Sequence, residues 1–222
     1  ETRINIRGIY EGLAETSLRM VPVTAACAAA GLVVGGISIT GLAGKFSYIV
    51  LALAGESQIL TLVLAGVLCI LLGMGMPTPS AYILAAVLIA DVLIAPGMEV
   101  LTAHMFLLFF SVLSSITPPV AVAAYAASSI AEANPLAIAT AALRLSLVLF
   151  VVPFAFVYGP GLLAQGSAGE IAIALVFAVP GVLALAVASE GYWRGVLQSW
   201  QRIGMGCVGL GLLFAPAFFR GI

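Results

Sequence analysis

Long apolar segments separated by short polar breaks are the feature of this sequence that most restricts its fold. Between Met20 and Trp193 the chain carries only two basic residues, Lys45 and Arg144. In all, 63% of its residues are hydrophobic and 8% are charged, against about 45–50% and about 25% in soluble domains. So few charges cannot cover a soluble fold of 222 residues. The pattern predicts an all-α integral membrane protein, and it excludes a soluble domain and a disordered chain.

The amino-terminal segment combines an amphipathic stretch with a long apolar run. Apolar residues from Ile6 to Met20 recur at helical spacing, with arginines and glutamates between them. This predicts an amphipathic helix over 1–20 that lies in the membrane interface. The run 21–43 is long enough to span a bilayer, which takes about 20 residues. The next apolar run, 46–54, is too short to cross.

The segment 59–95 consists of two apolar arms joined by a polar tip, GMGMPTPS at 73–80. Each arm is short for a full crossing. Two half-length arms predict a re-entrant hairpin, whose non-helical tip must be buried in protein or line a cavity. Alternatively, one arm crosses fully and the other is a helix fragment. The sequence leaves both interpretations open.

A second polar break, SSITPP at 114–119, interrupts the apolar segment 102–131. Pro118 and Pro119 lack a backbone N–H, so a helix must break just before them. The segment is therefore predicted to be a discontinuous helix. Three further spans are predicted at 135–158, 170–188 and 203–219.

The distribution of basic residues predicts the orientation. Arginines near both ends of the chain place the amino-terminal segment and the loop 189–202 in the cytoplasm. These residues are Arg3, Arg7, Arg19, Arg194 and Arg202. Loops without Lys or Arg are predicted to be external, namely 55–58, 96–103 and 159–169. Lys45 is external in this scheme.

Both polar breaks are predicted to lie at mid-membrane depth. Where a helix unwinds, carbonyl and hydroxyl oxygens suit Na⁺, and the amino-terminal ends of half-helices attract anionic groups. Paired interrupted segments of this kind indicate a transport site. The candidate residues are Gly73, Gly75, Pro77, Thr78, Ser80, Ser114, Ser115, Thr117, Pro118 and Pro119, with Na⁺ expected at Thr78, Ser115 and Thr117. The competing interpretation is that these prolines and hydroxyls only form helix kinks.

Few ionisable groups lie within the apolar segments. Asp91, in the second hairpin arm, is a candidate because a carboxylate inside a membrane is costly, but it lies about one turn from Pro96 and can reach water there. Arg144 is predicted either to extend to the cytoplasmic face or to neutralise a carboxylate within the bundle. Interfacial positions are predicted for His104, Tyr192, Trp193 and Trp200.

Several classes of function are excluded or disfavoured. The net charge of −1 and the lack of a basic patch indicate no nucleic-acid partner. The chain has no phosphate-binding GxxxxGK[ST] motif and so no ATP motor. An intramembrane protease would need an activated nucleophile or two aspartates, and Asp91 is the only aspartate. No metal site built from cysteine or histidine and no cofactor is predicted, because Cys27, Cys69 and Cys207 lie in apolar surroundings and His104 has no nearby ligand.

The sequence resembles the large membrane subunit of tripartite ATP-independent periplasmic (TRAP) transporters in three stretches. They are LGMGMPTPSAYILAAVLIA at 72–90, AHMFLLFFSVLSSITPPVAVAAYAASSIA at 103–131 and ALRLSLVLFVVPFAFVYGPGLL at 142–163. The segment ACAAAGLVVGGISITGL at 26–42 is similar to the fused permeases that work with a TAXI-class binding protein. The resemblance covers about residues 8–165, and 166–222 look like the carboxy-terminal extension of those permeases.

The resemblance implies an elevator-type transporter built from two inverted repeats. This chain would be the carboxy-terminal part, the second repeat with its tail. It would comprise an interfacial helix at 1–20, a transport and scaffold region at 21–165 and a two-span extension at 166–222. The tip 73–80 and the unwound turn 114–119 would together form one Na⁺ site and one wall of the substrate site.

The resemblance also implies the activity and its partners. The expected function is Na⁺-coupled uptake of a small carboxylate-bearing solute, delivered by a periplasmic TAXI-type binding protein. Na⁺ would be the coupling ion and no cofactor would be needed. The expected setting is the cytoplasmic (inner) membrane of a bacterium or archaeon, where the lipid bilayer and the amino-terminal half of the permease would surround the chain.

One departure from the family pattern leaves alternatives open. Where the hairpin's second arm is expected to carry an Ala-Pro pair, this chain has Ala90-Asp91. In a proton-coupled carrier or channel with the same broken helices, Asp91 would matter most. A non-transporting membrane assembly subunit is a further alternative.

Overall fold

The computed structural model describes residues 5–220, with the side chains of 217–220 outside that description. Arg3, one of the arginines used to predict the orientation, also lies outside the described residues. Within this range the chain forms ten α-helices and one 3₁₀ turn, Pro160–Leu163. The α-helices are α1 Ile6–Thr40, α2 Leu42–Ala54, α3 Gln58–Gly73, α4 Thr78–Ile94, α5 Val100–Ser114, α6 Val122–Ala131, α7 Pro135–Leu145, α8 Leu147–Tyr158, α9 Ala168–Glu190 and α10 Ser199–Arg220.

The lengths of the helices agree with a membrane protein. Among the described residues, α1 and α9 are long and apolar enough to cross a membrane, and the bent pair α7 and α8 would make a third span. The helices α2 to α6 are apolar but shorter, between 10 and 17 residues. The all-α membrane class predicted from the apolar segments is therefore confirmed.

The first helix differs from the sequence expectation of an interfacial helix over 1–20 and a separate span over 21–43. The structure has one continuous helix of 35 residues, Ile6–Thr40. No turn-forming segment separates the two parts, and the single proline within the helix, Pro22, is tolerated in a long apolar helix. The helix ends at Gly41, whose φ of 63° places it in the left-handed region typical of a helix end.

The main core lies between α3, α4, α5 and α8, with α2 packed against α3 and α4. Phenylalanines of α5 and α8 form its centre. The ring centroid of Phe154 lies 5.4 Å from that of Phe106 and 6.1 Å from that of Phe110, both edge to face. A Cβ on Gly66 of α3 would stand 2.9 Å from the Phe110 ring. Glycine at this position therefore lets α3 approach α5 closely.

The segment predicted as one ordinary span, 135–158, is bent by 40° between α7 and α8. The residue at the bend is Ser146, whose ψ of 3° departs from the helical value. Both halves contact α9, but α7 also lies against α6, whereas α8 lies against α10 and the phenylalanines of α5. These divergent contacts account for the bend.

The helices α9 and α10 form an antiparallel pair with close backbone contact. A Cβ on Gly181 would stand 3.1 Å from the carbonyl oxygen of Gly209, and a Cβ on Gly209 would stand 2.9 Å from that of Gly181. Small residues facing each other allow this approach. The amino-terminal end of α9 carries a capping box, in which Ser167 and Glu170 satisfy each other's backbone N–H groups.

Two arginines from other helices bind the carboxyl end of α9. The guanidinium of Arg144, in α7, donates to the carbonyls of Ser189 at 3.3 Å and Glu190 at 3.0 Å. That of Arg202, in α10, donates to the carbonyls of Ala188 at 3.0 Å and Ser189 at 2.8 Å. These carbonyls lack partners within their own helix, and the end of a helix dipole favours cations. Neither sequence interpretation of Arg144 anticipated this partner.

Candidate functional site

The first polar break is a short turn between α3 and α4. The helix α3 ends at Gly73, and Met76 closes the turn by donating to the Gly73 carbonyl at 3.2 Å. Gly75 has a φ of 81°, which favours glycine because a side chain there would be strained. Pro77 precedes the first residue of α4, so no side chain caps that helix start.

The second polar break separates α5 from α6. The helix α5 ends at Ser114, and α6 begins at Val122 after seven residues without regular helix that include the cis-linked pair Pro118–Pro119. The carbonyl of Ser115 accepts a hydrogen bond from the N–H of Ala123 at 3.0 Å, which ties the two half-helices together. The break is thus an ordered turn.

The two breaks lie against each other. A Cβ on Gly73, at the first break, would stand 2.9 Å from Cβ of Ser114, at the second. A Cβ on Gly75 would stand 3.6 Å from Cγ1 of Val120. Residues 41 positions apart in the chain are therefore neighbours, and the predicted site residues of the two segments are brought to one place.

The face of α3 that leads to the first break carries small residues and contacts α5. The thiol of Cys69 lies 3.3 Å from both the carbonyl oxygen of Leu107 and the hydroxyl of Ser111, and Cys69 and Ser111 are fully buried. The Ser111 hydroxyl donates to the Leu107 carbonyl at 2.8 Å. Because Gly66, Cys69 and Gly73 share this face of α3, they set the register between α3 and α5.

The hydroxyls of the second break are hydrogen-bonded to the last turns of α5. Ser114 donates to the carbonyl of Ser111, Ser115 to that of Val112, and Thr117 to that of Leu113, each at 2.7 Å. This is the back-bonding expected of a structural kink. It also uses each hydroxyl's only proton and leaves its lone pairs, so these oxygens can act only as acceptors toward a further group.

Acceptor-only oxygens suit a cation better than an anion. Neither break contains a charged residue over 73–80 or 114–121. Within the described backbone, the carbonyls of Met74, Gly75 and Ile116 receive none of the turn hydrogen bonds. Carbonyl and hydroxyl oxygens of this kind are ligands for hard cations. The second break can therefore offer neutral oxygens to a cation, whereas it has no hydroxyl proton left for a carboxylate.

The remaining candidates of the first break face different ways. Ser80 is buried and its hydroxyl donates to the thiol of Cys27 in α1 at 3.6 Å, so this side chain links α4 to α1. Thr78, at the start of α4, is half-buried and has no hydrogen-bond partner among the described residues. Its hydroxyl keeps both its proton and its lone pairs. Thr78 can therefore contact either a cation or an anionic group at the helix start.

A large cavity of the described structure lies elsewhere. It has a volume of about 450 Å³ and is bounded by the carboxyl ends of α2, α4 and α8 and the amino ends of α3 and α5. Glu56, Glu99, Thr61 and Thr102 line it, and none of the predicted site residues does. The contact between the two breaks is a packed junction rather than an open pocket, so the size of a cavity does not locate the candidate site here.

Sequence reasoning missed two polar contacts that organise these helices. Cys69 was interpreted only as a small buried residue, although the spacing of Gly66, Cys69 and Gly73 marks a small-residue face. His104, expected at the membrane interface, is half-buried in α5, and its Nδ1 lies 2.9 Å from the hydroxyl of Tyr82 in α4. No sequence signal indicates that pair, because it depends on how α4 and α5 cross.

A family model described as the tripartite ATP-independent periplasmic transporter, DctM component, matches residues 1–171 of this chain. Neither the curated proteins nor the solved structures contain a match. The matched residues include the core helices and both polar breaks, and they end just inside α9. Most of the α9 and α10 pair lies beyond the match.

Proposed function

Since this chain belongs to the DctM component family of tripartite ATP-independent periplasmic transporters, we propose that it couples inward Na⁺ movement to the uptake of a carboxylate-bearing solute. Members of the family are multi-pass permeases of secondary transporters and not enzymes, and they act with a periplasmic binding protein and a small membrane subunit. The Na⁺ coupling, the carboxylate substrate and the site residues are our proposal.

The contact between Gly73 and Ser114 carries the proposal. It joins two helix breaks, each with unpaired backbone carbonyls, at one position in the core. Broken helices that meet in pairs supply coordinating oxygens without ionised side chains. We propose that the Ser115 and Thr117 hydroxyl oxygens, together with the carbonyls of the first break, hold Na⁺.

The substrate carboxylate is assigned to the start of α4. No side chain caps this helix, and the Thr78 hydroxyl is free to donate. The positive end of the helix dipole and a free hydroxyl both favour an anionic group. In this arrangement Gly73, Gly75 and Pro77 shape the tip, whereas Pro118 and Pro119 hold the second break open. Ser80 contributes indirectly, because its hydroxyl bond to Cys27 links α4 to α1.

The proposed partners, transport movement and location follow from the family resemblance. We propose a TAXI-type binding protein as the donor of substrate and an amino-terminal permease half as the source of the second wall of the site. Rigid-body elevator movement would carry the hairpin and the broken helix past a scaffold of flanking spans, with Na⁺ and substrate bound. The proposed location is the inner membrane of a bacterium or archaeon.

Uptake into proteoliposomes tests the coupling ion. The complete permease is reconstituted and supplied with its binding protein and radiolabelled carboxylate substrate, at constant ionic strength. Replacing external Na⁺ by K⁺ should abolish uptake, whereas an imposed proton gradient in K⁺ should not restore it. Uptake that continues in K⁺ would rule out Na⁺ coupling, and uptake restored by the proton gradient would favour a proton-coupled carrier.

A further inference from the structure

The loop between α9 and α10 has a defined structure although it lies outside the family match. Leu197 donates to the carbonyl of Gly191 at 2.8 Å, and Trp193 donates to that of Gly195 at 2.9 Å. A single β-bridge pairs Tyr192 with Val196. These bonds fold residues 191–197 into a tight hairpin-like turn directly after the last residue of α9.

The turn presents large side chains to its surroundings. Tyr192 and Trp193 are each 60% exposed, Val196 is 87% exposed and Trp200, at the start of α10, is 68% exposed. The indole of Trp200 is oriented by a hydrogen bond from Nε1 to the side-chain oxygen of Gln198 at 2.7 Å. Amphipathic aromatic rings of this kind are stable where lipid headgroups meet hydrocarbon.

The position of the turn agrees with such a boundary. The candidate span α9 has 23 residues and is about 34 Å long at 1.5 Å per residue, which exceeds the hydrocarbon thickness of about 30 Å. As a membrane span, α9 would bring its carboxyl end to the headgroup level of one leaflet. The residues that follow are placed in the interface.

This end of α9 is rich in positive charge. Arg144 and Arg202 donate to the terminal carbonyls of α9, whereas Arg194 makes no hydrogen bond or ion pair within the described part of the chain. The acidic residue nearest in sequence is Glu190. Arg194 is thus a free cation in the turn that follows this helix end, and a cation in that position attracts an anionic headgroup.

A shallow apolar groove begins where the turn ends. Its volume is about 330 Å³, and Leu197, Trp200, Gln201, Gly204 and Met205 line it. Gly204 leaves space on the surface of α10, since nothing lies within 4 Å of the position its Cβ would take. A groove of this composition, next to the candidate span α9, has the size and apolar lining to accommodate the upper part of an acyl chain.

We propose that residues 191–205 form a binding site for an anionic phospholipid, with Arg194 at the phosphate, the indoles of Trp193 and Trp200 at the glycerol level and an acyl chain in the groove. The positive-inside expectation for the loop 189–202 assigns this lipid to the cytoplasmic leaflet. The site is separate from the two helix breaks, and its existence does not depend on Na⁺ coupling.

Intrinsic fluorescence gives a direct test once every tryptophan of the permease outside this chain is replaced by phenylalanine, because this chain's two tryptophans, Trp193 and Trp200, both belong to the proposed site. The protein is reconstituted into vesicles of phosphatidylcholine that contain a small fraction of dibrominated lipid, either phosphatidylglycerol or phosphatidylcholine. Bromine quenches nearby indoles. At equal mole fractions the brominated phosphatidylglycerol should quench several-fold more strongly, and this preference should decrease at high salt.

Substitutions test which residues produce the preference for the anionic lipid. Arg194→Gln should reduce the preference for the anionic lipid about fivefold, the effect of one basic residue near an anionic surface, whereas quenching by phosphatidylcholine should be unchanged. Arg194→Lys should retain most of it. Lys45→Gln serves as the control, since it removes a cation at another place. Trp193→Phe and Trp200→Phe each leave one indole in this segment, so that quenching can be measured separately at each position.

Three outcomes would overturn the proposal. Equal quenching by the two brominated lipids would mean that the segment is an aromatic belt without specificity for anionic lipid. A preference that survives Arg194→Gln would exclude the assigned contact. Competition by millimolar inorganic phosphate would show that the segment binds a free anion rather than a lipid headgroup. Circular dichroism of each variant establishes that the helices are intact.

Discussion

Gly73 and Ser114 touch across the interface of α3 and α5, where a Cβ on Gly73 would stand 2.9 Å from Cβ of Ser114 and 3.2 Å from Cβ of Ala81. The first distance is shorter than real Cβ contacts. Glycine is therefore required for the two helix breaks to meet. The contact also explains why the paired breaks form a junction with little empty space, since the end of one helix rests on the end of another.

Gly73→Ala should separate the two breaks. The added methyl group cannot be accommodated without moving α3 or α5, and overpacking of this kind costs about 1–3 kcal/mol. We expect a lower melting temperature in detergent and a reduced affinity for Na⁺ in uptake assays. The double variant with Ser114→Gly should recover part of both losses, because it removes the contacting Cβ.

Gly31→Ala is the matched control for this prediction. Nothing lies within 4 Å of the position its Cβ would take, so the substitution introduces no clash within the described structure. Wild-type behaviour of Gly73→Ala in both assays would contradict the close contact.

Thr117→Ala should raise the Na⁺ concentration needed for half-maximal uptake by about tenfold, which corresponds to about 1.4 kcal/mol of lost binding. The substitution removes one hydroxyl oxygen from the proposed Na⁺ site. The maximal rate of uptake depends on other groups. Ser129→Ala is the control, because its hydroxyl donates to the carbonyl of Ala126 at 2.8 Å in the same manner but lies on α6 away from the junction. Equal effects of the two substitutions would mean that Thr117 only stabilises its helix.

Cys69 and Ser111 should act together as a link between α3 and α5. Cys69→Ala removes the thiol from a fully buried site and leaves the Ser111 hydroxyl without that neighbour. Because the Ser111 hydroxyl still donates to the Leu107 carbonyl, we expect a loss of stability of about 1 kcal/mol, the net value of one hydrogen bond, measured by thermal unfolding in detergent. Cys69→Ser should recover much of this loss, since a hydroxyl can make the same contacts, and Cys207→Ala, at an exposed thiol, should have no effect. If Cys69→Ser were as unstable as Cys69→Ala, size rather than hydrogen bonding would explain the site.

Arg144→Gln should loosen the contact between α7 and the carboxyl end of α9. Because the guanidinium donates to two terminal carbonyls but is exposed, its loss should cost about 0.3–1 kcal/mol, the range for an exposed cation at a helix end. Hydrogen exchange of the amides near Glu190 should increase, whereas exchange near Ser114 should not change. Arg7→Gln provides a comparison, since its ion pair with Glu11 is exposed and contributes little. Unchanged exchange near Glu190 would exclude this role of Arg144.

Asp91→Asn should leave the pH dependence of uptake unchanged. Asp91 is exposed on α4 and precedes the end of that helix by three residues, which places it about one turn from the polar segment that follows α4. Uptake measured from acid to alkaline pH, with Na⁺ present and absent, checks this. If the variant lost both transport and its pH dependence, the Asp91 carboxylate rather than the neutral oxygens of the two breaks would be the coupling group.

The helix positions were largely predictable from the chain because apolar length, proline and glycine act locally. The breaks at 73–80 and 114–119 follow from prolines that cannot donate a hydrogen bond, and α9 follows from an apolar run that begins at a capping box. Contacts between helices were not predictable in the same way. Arg144 illustrates this, since its partners are backbone carbonyls that carry no side-chain signal.

The bend at Ser146 and the continuity of α1 show where local reasoning fails. An apolar run of sufficient length looks the same whether the helix is straight or bent, because hydropathy does not record which neighbours each half contacts. The bend lies where α7 turns toward α6 and α8 toward α5. Conversely, a change from amphipathic to fully apolar composition does not interrupt a helix that has no turn-forming residues.

By itself, the sequence determined that this protein is an α-helical membrane protein, where its helices are interrupted and that the interruptions carry neutral oxygens rather than charges. These properties depend on the transfer of residues from water to lipid and on the loss of backbone donors at proline, which are local quantities. Only the tertiary structure decided that the two interruptions meet, through Gly73 and Ser114, and that arginines of α7 and α10 hold the end of α9. Such contacts depend on how the helices cross, and that is determined by the packing of side chains from distant parts of the chain.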